Sequence, residues 1–231
     1  MTTTAVDVRD RLALALDVDD LIEARRLSKE LKPYFNVVKV GLELFTATGP
    51  DIVAIMRDQD YKVLLDLKLH DIPNTVGKAA RVLGSLGVSY MTAHAFGGTA
   101  MLRAAVEGAN EGAARADVDT APKILAVTIL TSDAEAPPHI LGNRVRTAME
   151  AGCAGIVCAA SDVREAKQLA PRAIALVPGI RPAGVPVNDQ KKTATPQEAM
   201  SEGADLLVIG RAVTQADNKA KAAEDLLESL A

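Results

Sequence analysis

Again and again along the chain, a short run rich in Val, Ile, Leu and Ala gives way to a longer stretch of helical character, rich in Ala, Leu, Glu and Lys. The candidate strands are 12–17, 36–40, 62–66, 88–94, 123–129, 155–158, 173–177 and 205–209. One candidate helix opens at Asp19 or Asp20, runs through LIEARRLSKEL and stops before Pro33. A second begins near Pro73, because a proline in the first helical turn forfeits no hydrogen bond. Others cover 99–114, 141–151, 161–169, 195–202 and 216–230, with Ser161 and Thr195 as N-caps and Gly203 as a stop. Strands separated by helices run parallel and are joined by right-handed crossovers. About eight such units in 231 residues fit a closed (β/α)₈ TIM barrel better than an open doubly wound sheet. No composition break or low-complexity linker divides the chain, so one α/β domain over 1–231 is expected.

Composition narrows the function classes. A mean hydropathy of +0.12 with 24% charged residues argues against disorder. Aromatic residues make up 3%, Trp is absent and the net charge is −4, which disfavours a nucleic-acid partner that would need stacking platforms and a basic surface. No apolar run reaches the ~20 residues of a membrane span, so no membrane partner is expected. The start, MTTTAVDVRD, does not read as a secretory signal. Two cysteines, Cys153 and Cys158, supply neither a disulfide framework nor metal-ligand spacing. The expectation is a cytoplasmic protein with no metal.

In a barrel of this kind, chemistry sits where the strands end. The candidate strands lead to Asp17, Lys39, Asp66 with Lys68, His94, Thr131, Arg181, and Gly210 with Arg211. The densest segment is DLKLHDIPNT, residues 66–75. Alternate strand residues share a face, so Asp66 and Lys68 are both expected to point inward, with Asp71 just past the strand. Two carboxylates around one ammonium favour its charged form, which suits a proton donor better than an amine nucleophile. At ~4 Å and an effective dielectric of ~20, each such attraction is worth ~4 kcal/mol before desolvation. Lys39 extends the row into an alternating Lys–Asp–Lys–Asp array. A rim ion-pair network that only holds loops is the plain alternative for any one of these residues. Their convergence on one rim favours a reactive cavity.

A second group suggests phosphate. The seventh loop, VPGIRPAGVPVNDQKK, holds Gly179, Gly184, Arg181 and Gln190, and loops of this length are usually lids or binding loops. Barrels often bind phosphate between the loops after strands seven and eight, where Gly210 and Arg211 supply close backbone and a guanidinium. His94 reads as a structural residue that orients a loop, His70 as a cap of its turn and His139 as surface. Lys191 and Lys192 read as a solvated pair, and the cysteines as small buried hydrophobes.

Seen together, LALD at 14–17, KVG at 39–41, DLKLHDIPNT at 66–75, HAFGG at 94–98, LTS at 130–132, PGIRPAG…NDQ at 178–190 and IGR at 209–211 make a chain that resembles the orotidine 5′-phosphate decarboxylase family. The resemblance runs in order over nearly the whole length. It implies a (β/α)₈ homodimer that converts orotidine 5′-phosphate to UMP and CO₂, without metal or organic cofactor. It implies that Lys68 protonates C6 of the pyrimidine while Asp66 lies near the substrate carboxylate. It implies that Asp71 and Thr75 reach the neighbouring subunit's site, with Ile72 beside them in the substrate-binding set. Asp17 and Lys39 would hold ribose hydroxyls, and Thr131 would face the base. Gln190, Gly210 and Arg211 would take the phosphate, and Arg181 would contact substrate. Two alternatives stay open: a Mg²⁺-dependent sugar-phosphate decarboxylase or aldolase of the same barrel group, and a catalytically silent nucleotide-binding barrel.

Overall fold

Eight parallel strands close on themselves in chain order, and helices fill the connections between them. The computed structural model describes residues 7–133, 136–182 and 193–230. The strands are β1 (Leu12–Ala15), β2 (Val37–Gly41), β3 (Lys62–Leu69), β4 (Tyr90–His94), β5 (Lys123–Val127), β6 (Gly155–Val157), β7 (Ile174–Val177) and β8 (Leu206–Ile209). Each pairs with the next, and Leu12 of β1 meets Leu207 of β8 to complete the ring. The helices are α1 (Leu21–Leu31), α2 (Leu42–Thr48), α3 (Asp51–Arg57), α4 (Pro73–Gly84), α5 (Gly98–Arg115), α6 (His139–Glu150), α7 (Val163–Leu169), α8 (Pro196–Ser201), α9 (Arg211–Thr214) and α10 (Lys219–Glu228). The expected closed (β/α)₈ barrel is the fold.

Strand parity builds two cores. Inward residues such as Ala13, Ala15, Leu64, Val127, Val157, Leu176 and Val208 fill the barrel, while Leu12, Leu14, Val63, Leu65 and Met91 pack outward beneath the helices. Burying each Val or Leu contributes about 1.5–3 kcal/mol, so a strand's alternation decides which face turns in. Along β3 that parity turns Leu64 inward, and two residues further on it carries Asp66 to the cavity.

Caps set most helix ends as expected. The Asp20 side chain accepts from the Glu23 amide, and Pro73 occupies the first turn of α4. Thr195 and Glu198 form a reciprocal capping box, and Gly203 follows the end of α8 at φ +103°. Ser161 is a correction. A 3₁₀ turn at Ala160–Asp162 intervenes, Asp162 becomes the N-cap of α7, and the Ser161 hydroxyl donates to the Asp162 carboxylate at 2.9 Å. Helices α2 and α3 were not foreseen. Each has seven residues, the Gly49–Pro50 turn separates them, and two turns are too short for a helical period to stand out.

Helices α4 and α5 approach backbone to backbone. A Cβ on Gly108 would lie 2.2 Å from the Gly77 carbonyl oxygen, and one on Gly112 would lie 1.9 Å from that of Arg81. That contact anchors α4, whose leading end follows the HDI segment. Both cysteines are buried and free, and desolvation pushes each thiol up to about 12, as suits small apolar residues. Among the described residues no helix is long and apolar enough to cross a membrane.

Candidate active site

The C-terminal ends of the strands surround one cavity. Its walls include Asp17, Lys39, Asp66, Lys68, Thr131, Arg181, Gly210 and Arg211, and Ala15, Val127, Val157, Leu176 and Val208 form its apolar floor. Residues spread over nearly two hundred positions of sequence therefore meet at one mouth. Of the remaining sequence-derived candidates, Gln190 lies outside the described residues, as do Gly184, Lys191 and Lys192.

Among the described residues, two ion pairs stand in the charged wall. The Lys39 ammonium, on a residue only 9% exposed, donates to Asp17 Oδ1 at 2.8 Å. Gly41 keeps that space open, since a Cβ there would come within 2.9 Å of Lys39 Nζ. The Lys68 ammonium donates to Asp66 Oδ2, also at 2.8 Å. Simple alternation does not describe how Lys68 reaches the cavity. The β3–β4 register runs Leu65 to Met91 and then Leu69 to Ala93, so β3 carries a bulge across 66–68. Lys68 sits there at φ +51°, a left-handed conformation that costs a non-glycine residue about 1–3 kcal/mol and recurs at functional sites. Thr92 of β4, which the sequence reading passed over, spans the bulge. Its Oγ1 accepts from the Lys68 amide at 2.9 Å and lies 2.9 Å from Asp66 Oδ1. Parity alone could have found it, because it sits two residues before His94 on the inward face of β4.

Asp71, Ile72 and Thr75 do not join this cavity. The expectation of two carboxylates flanking Lys68 within one chain is corrected: among the described residues its ion pair is with Asp66. The chain turns outward before Pro73, which leaves Asp71 exposed, with its Oδ1 accepting from the Ile72 amide at 2.6 Å. Ile72 itself is 64% exposed. Arg181 is buried at the rim, where its Nη1 donates to the Ile180 carbonyl and its amide pairs with Ala194.

His94 has the structural role expected of it, because its Nδ1 accepts from the Phe96 amide at 3.2 Å. His70 is not a cap; its ring packs 5.6 Å from those of His94 and Phe96. Burial pushes the His94 pKa below its ordinary value, and Arg144, His70 and Lys68 add to the effect. With a depressed folded-state pKa, the unfolded chain takes up the proton more readily. The associated stability is therefore complete above roughly pH 6.5 and is lost as the pH falls below it. Between pH 7.5 and 5.5 the melting temperature of the wild type is expected to fall more steeply than that of His94→Gln. Parallel melting curves would remove this account.

A profile of the orotidine 5′-phosphate decarboxylase / HUMPS family matches residues 10–226. A curated orotidine 5′-phosphate decarboxylase from Moorella thermoacetica is 43% identical over 227 residues, covering 93% of this chain and 90% of that protein. Another from a Nostoc species is 41% identical over 220 residues, covering 90% and 91%. The crystal structure of the Lactobacillus acidophilus orotidine 5′-phosphate decarboxylase superposes with a TM-score of 0.81 at 32% identity, covering 95% of this chain and 98% of that one. An uncharacterized conserved protein from Geobacillus kaustophilus gives 0.80 at 32% identity, covering 95% and 100%. A match of this extent, carried by the same barrel and a charged rim, places the chain in the orotidine 5′-phosphate decarboxylase / HUMPS family.

Proposed function

We propose that the chain, acting as one decarboxylase domain, converts orotidine 5′-phosphate to UMP and CO₂ at this rim. The observation that carries the mechanism is the Lys68 ammonium, held by Asp66 at 2.8 Å on the cavity wall. The bond between C6 of the pyrimidine and its carboxylate breaks, and its electron pair stays on C6. Lys68 delivers a proton to that carbon, CO₂ departs, and the neutral amine recovers a proton from water. A ring carbanion with no electron sink is costly, and a rate enhancement at the top of the usual enzymatic range, ~10¹⁷-fold, corresponds to ~23 kcal/mol of differential stabilisation. A cation fixed before the reaction begins supplies part of that without reorganising as charge develops.

The other rim residues divide the rest of the substrate. Asp66 lies near the reacting carboxylate, Asp17 and Lys39 take ribose hydroxyls, and Thr131 faces the base. Gly210 and Arg211, with Gln190, hold the phosphate, and Arg181 contacts the substrate. The active form is a homodimer in which Asp71, Ile72 and Thr75 enter the neighbouring subunit's cavity. Their exposure at the leading end of α4, outside their own cavity, supports that assignment. Free cysteines fit a reducing compartment, hence the cytoplasm.

The chemistry requires neither metal nor organic cofactor. Because the family profile also includes the HUMPS branch, Mg²⁺-dependent sugar-phosphate chemistry is the second reading. The HDIPNT segment and the decarboxylase names of the curated relatives favour the first. Purified protein mixed with orotidine 5′-phosphate should show the ultraviolet absorbance change of UMP formation at the same rate with and without EDTA. Abolition by the chelator would favour the Mg²⁺ reading. UMP binding with no CO₂ release would indicate a silent nucleotide-binding barrel.

A further inference from the structure

We infer that Thr92 is a positioning residue for the Lys68–Asp66 pair, an inference that rests on the decarboxylase reading above. Thr92 lies in β4 at 1% exposure and does not line the cavity, so it acts through its neighbours and not on the substrate. Its hydroxyl has one proton, and its two contacts fix where that proton goes. The Lys68 amide can only donate, so Thr92 Oγ1 accepts from it at 2.9 Å and must point its own proton at Asp66 Oδ1, also at 2.9 Å. Asp66 Oδ2 is then left to receive the Lys68 ammonium at 2.8 Å. Backbone amide, threonine hydroxyl, carboxylate and ammonium form a closed ring that begins and ends on Lys68.

The ring stands where the sheet ladder fails. The register shift between Leu65 and Leu69 and the φ of +51° at Lys68 take this amide out of the regular pairing with β4. The Thr92 side chain supplies the acceptor in its place. A partly buried amide without an acceptor and a carboxylate free to turn would both loosen the ammonium. Packing alone does not require a hydroxyl here, because Leu125, which stands opposite Thr92 in the β4–β5 ladder, is aliphatic. Valine has nearly the shape of threonine, so Thr92→Val removes the hydroxyl while conserving volume.

The test compares wild type, Thr92→Val, Thr92→Ala, Thr92→Ser and Lys68→Ala, measuring kcat and KM for orotidine 5′-phosphate, UMP affinity and melting temperature. Slight misplacement of a reacting group costs about 100-fold in rate. Thr92→Val and Thr92→Ala are expected to lose about that factor in kcat, with KM and UMP affinity nearly unchanged, while Thr92→Ser recovers most of the rate. Alanine relieves any crowding that valine introduces, so agreement between the two separates the hydroxyl from packing. Folded Thr92→Val with wild-type kcat overturns the inference. So does serine performing no better than valine, with turnover, affinity and melting temperature falling together. If wild type turns over, Lys68→Ala is dead and Thr92→Val is unaffected, this inference alone falls. If wild type releases no CO₂, the decarboxylase reading falls and takes this one with it.

Discussion

Lys68→Ala is expected to lower kcat for orotidine 5′-phosphate by at least about 10⁴-fold, combining the usual worth of a general acid with that of a preorganised charge. The variant removes the proton donor and the cation facing the carbanion in one step. It does not relieve the backbone, since alanine at φ +51° has the same β-carbon crowding as lysine. UMP affinity is the control. Phosphate and ribose are assigned to Arg211, Asp17 and Lys39, on or just beyond other strands, so product binding should survive where turnover does not. Stopped-flow absorbance with a parallel UMP titration measures both. Activity within tenfold of wild type would remove Lys68 as the donor, whereas loss of UMP binding in the same proportion as turnover would make it a binding residue.

Two inactive variants are expected to restore activity when combined. Lys68→Ala lacks the donor and Asp71→Ala lacks the carboxylate assigned to the neighbouring site, so on the proposed homodimer each variant alone should be dead. Across a two-fold interface, a mixed dimer has one site with Lys68 from one chain and Asp71 from the other. Random pairing of equal amounts makes half the dimers mixed, with one good site each, which is roughly a quarter of wild-type activity. The geometry motivates the experiment. Asp71 is exposed and ties its own carboxylate to the Ile72 amide at 2.6 Å, and the neighbouring Ile72 and Phe96 are 64% and 68% exposed. Co-expression of the two variants permits exchange. A co-purified mixture as inactive as its parents would confine Asp71 to its own chain, and full activity in Asp71→Ala alone would remove it from the site.

The positions of Asp17, Lys39, Thr131, Arg181 and Arg211 were legible because each closes a strand or follows one, and the barrel sends all such ends to one rim. Ser161 was misread as a cap because a 3₁₀ turn is a small local adjustment that the residue types do not announce. The arrangement of Lys68 was only half legible. Alternation led to the expectation that it points inward, but it reaches the cavity through a bulge that depends on β3 pairing with β4, and on a hydroxyl 24 residues away in the chain.

By itself the sequence determined the period of strand and helix, the inward face of Asp66 on the third strand and the identity of the charges at the strand ends. These are local properties, set by the geometry of a few consecutive residues. Pairing of neighbouring strands decided which charges meet across the rim, Lys39 of β2 with Asp17 at the end of β1. The tertiary structure also decided that Thr92 closes a ring through Lys68 and that Asp71 does not line its own cavity. Pairing energies depend on distances of a few ångströms between residues remote in sequence, and only strand register and barrel closure set those distances.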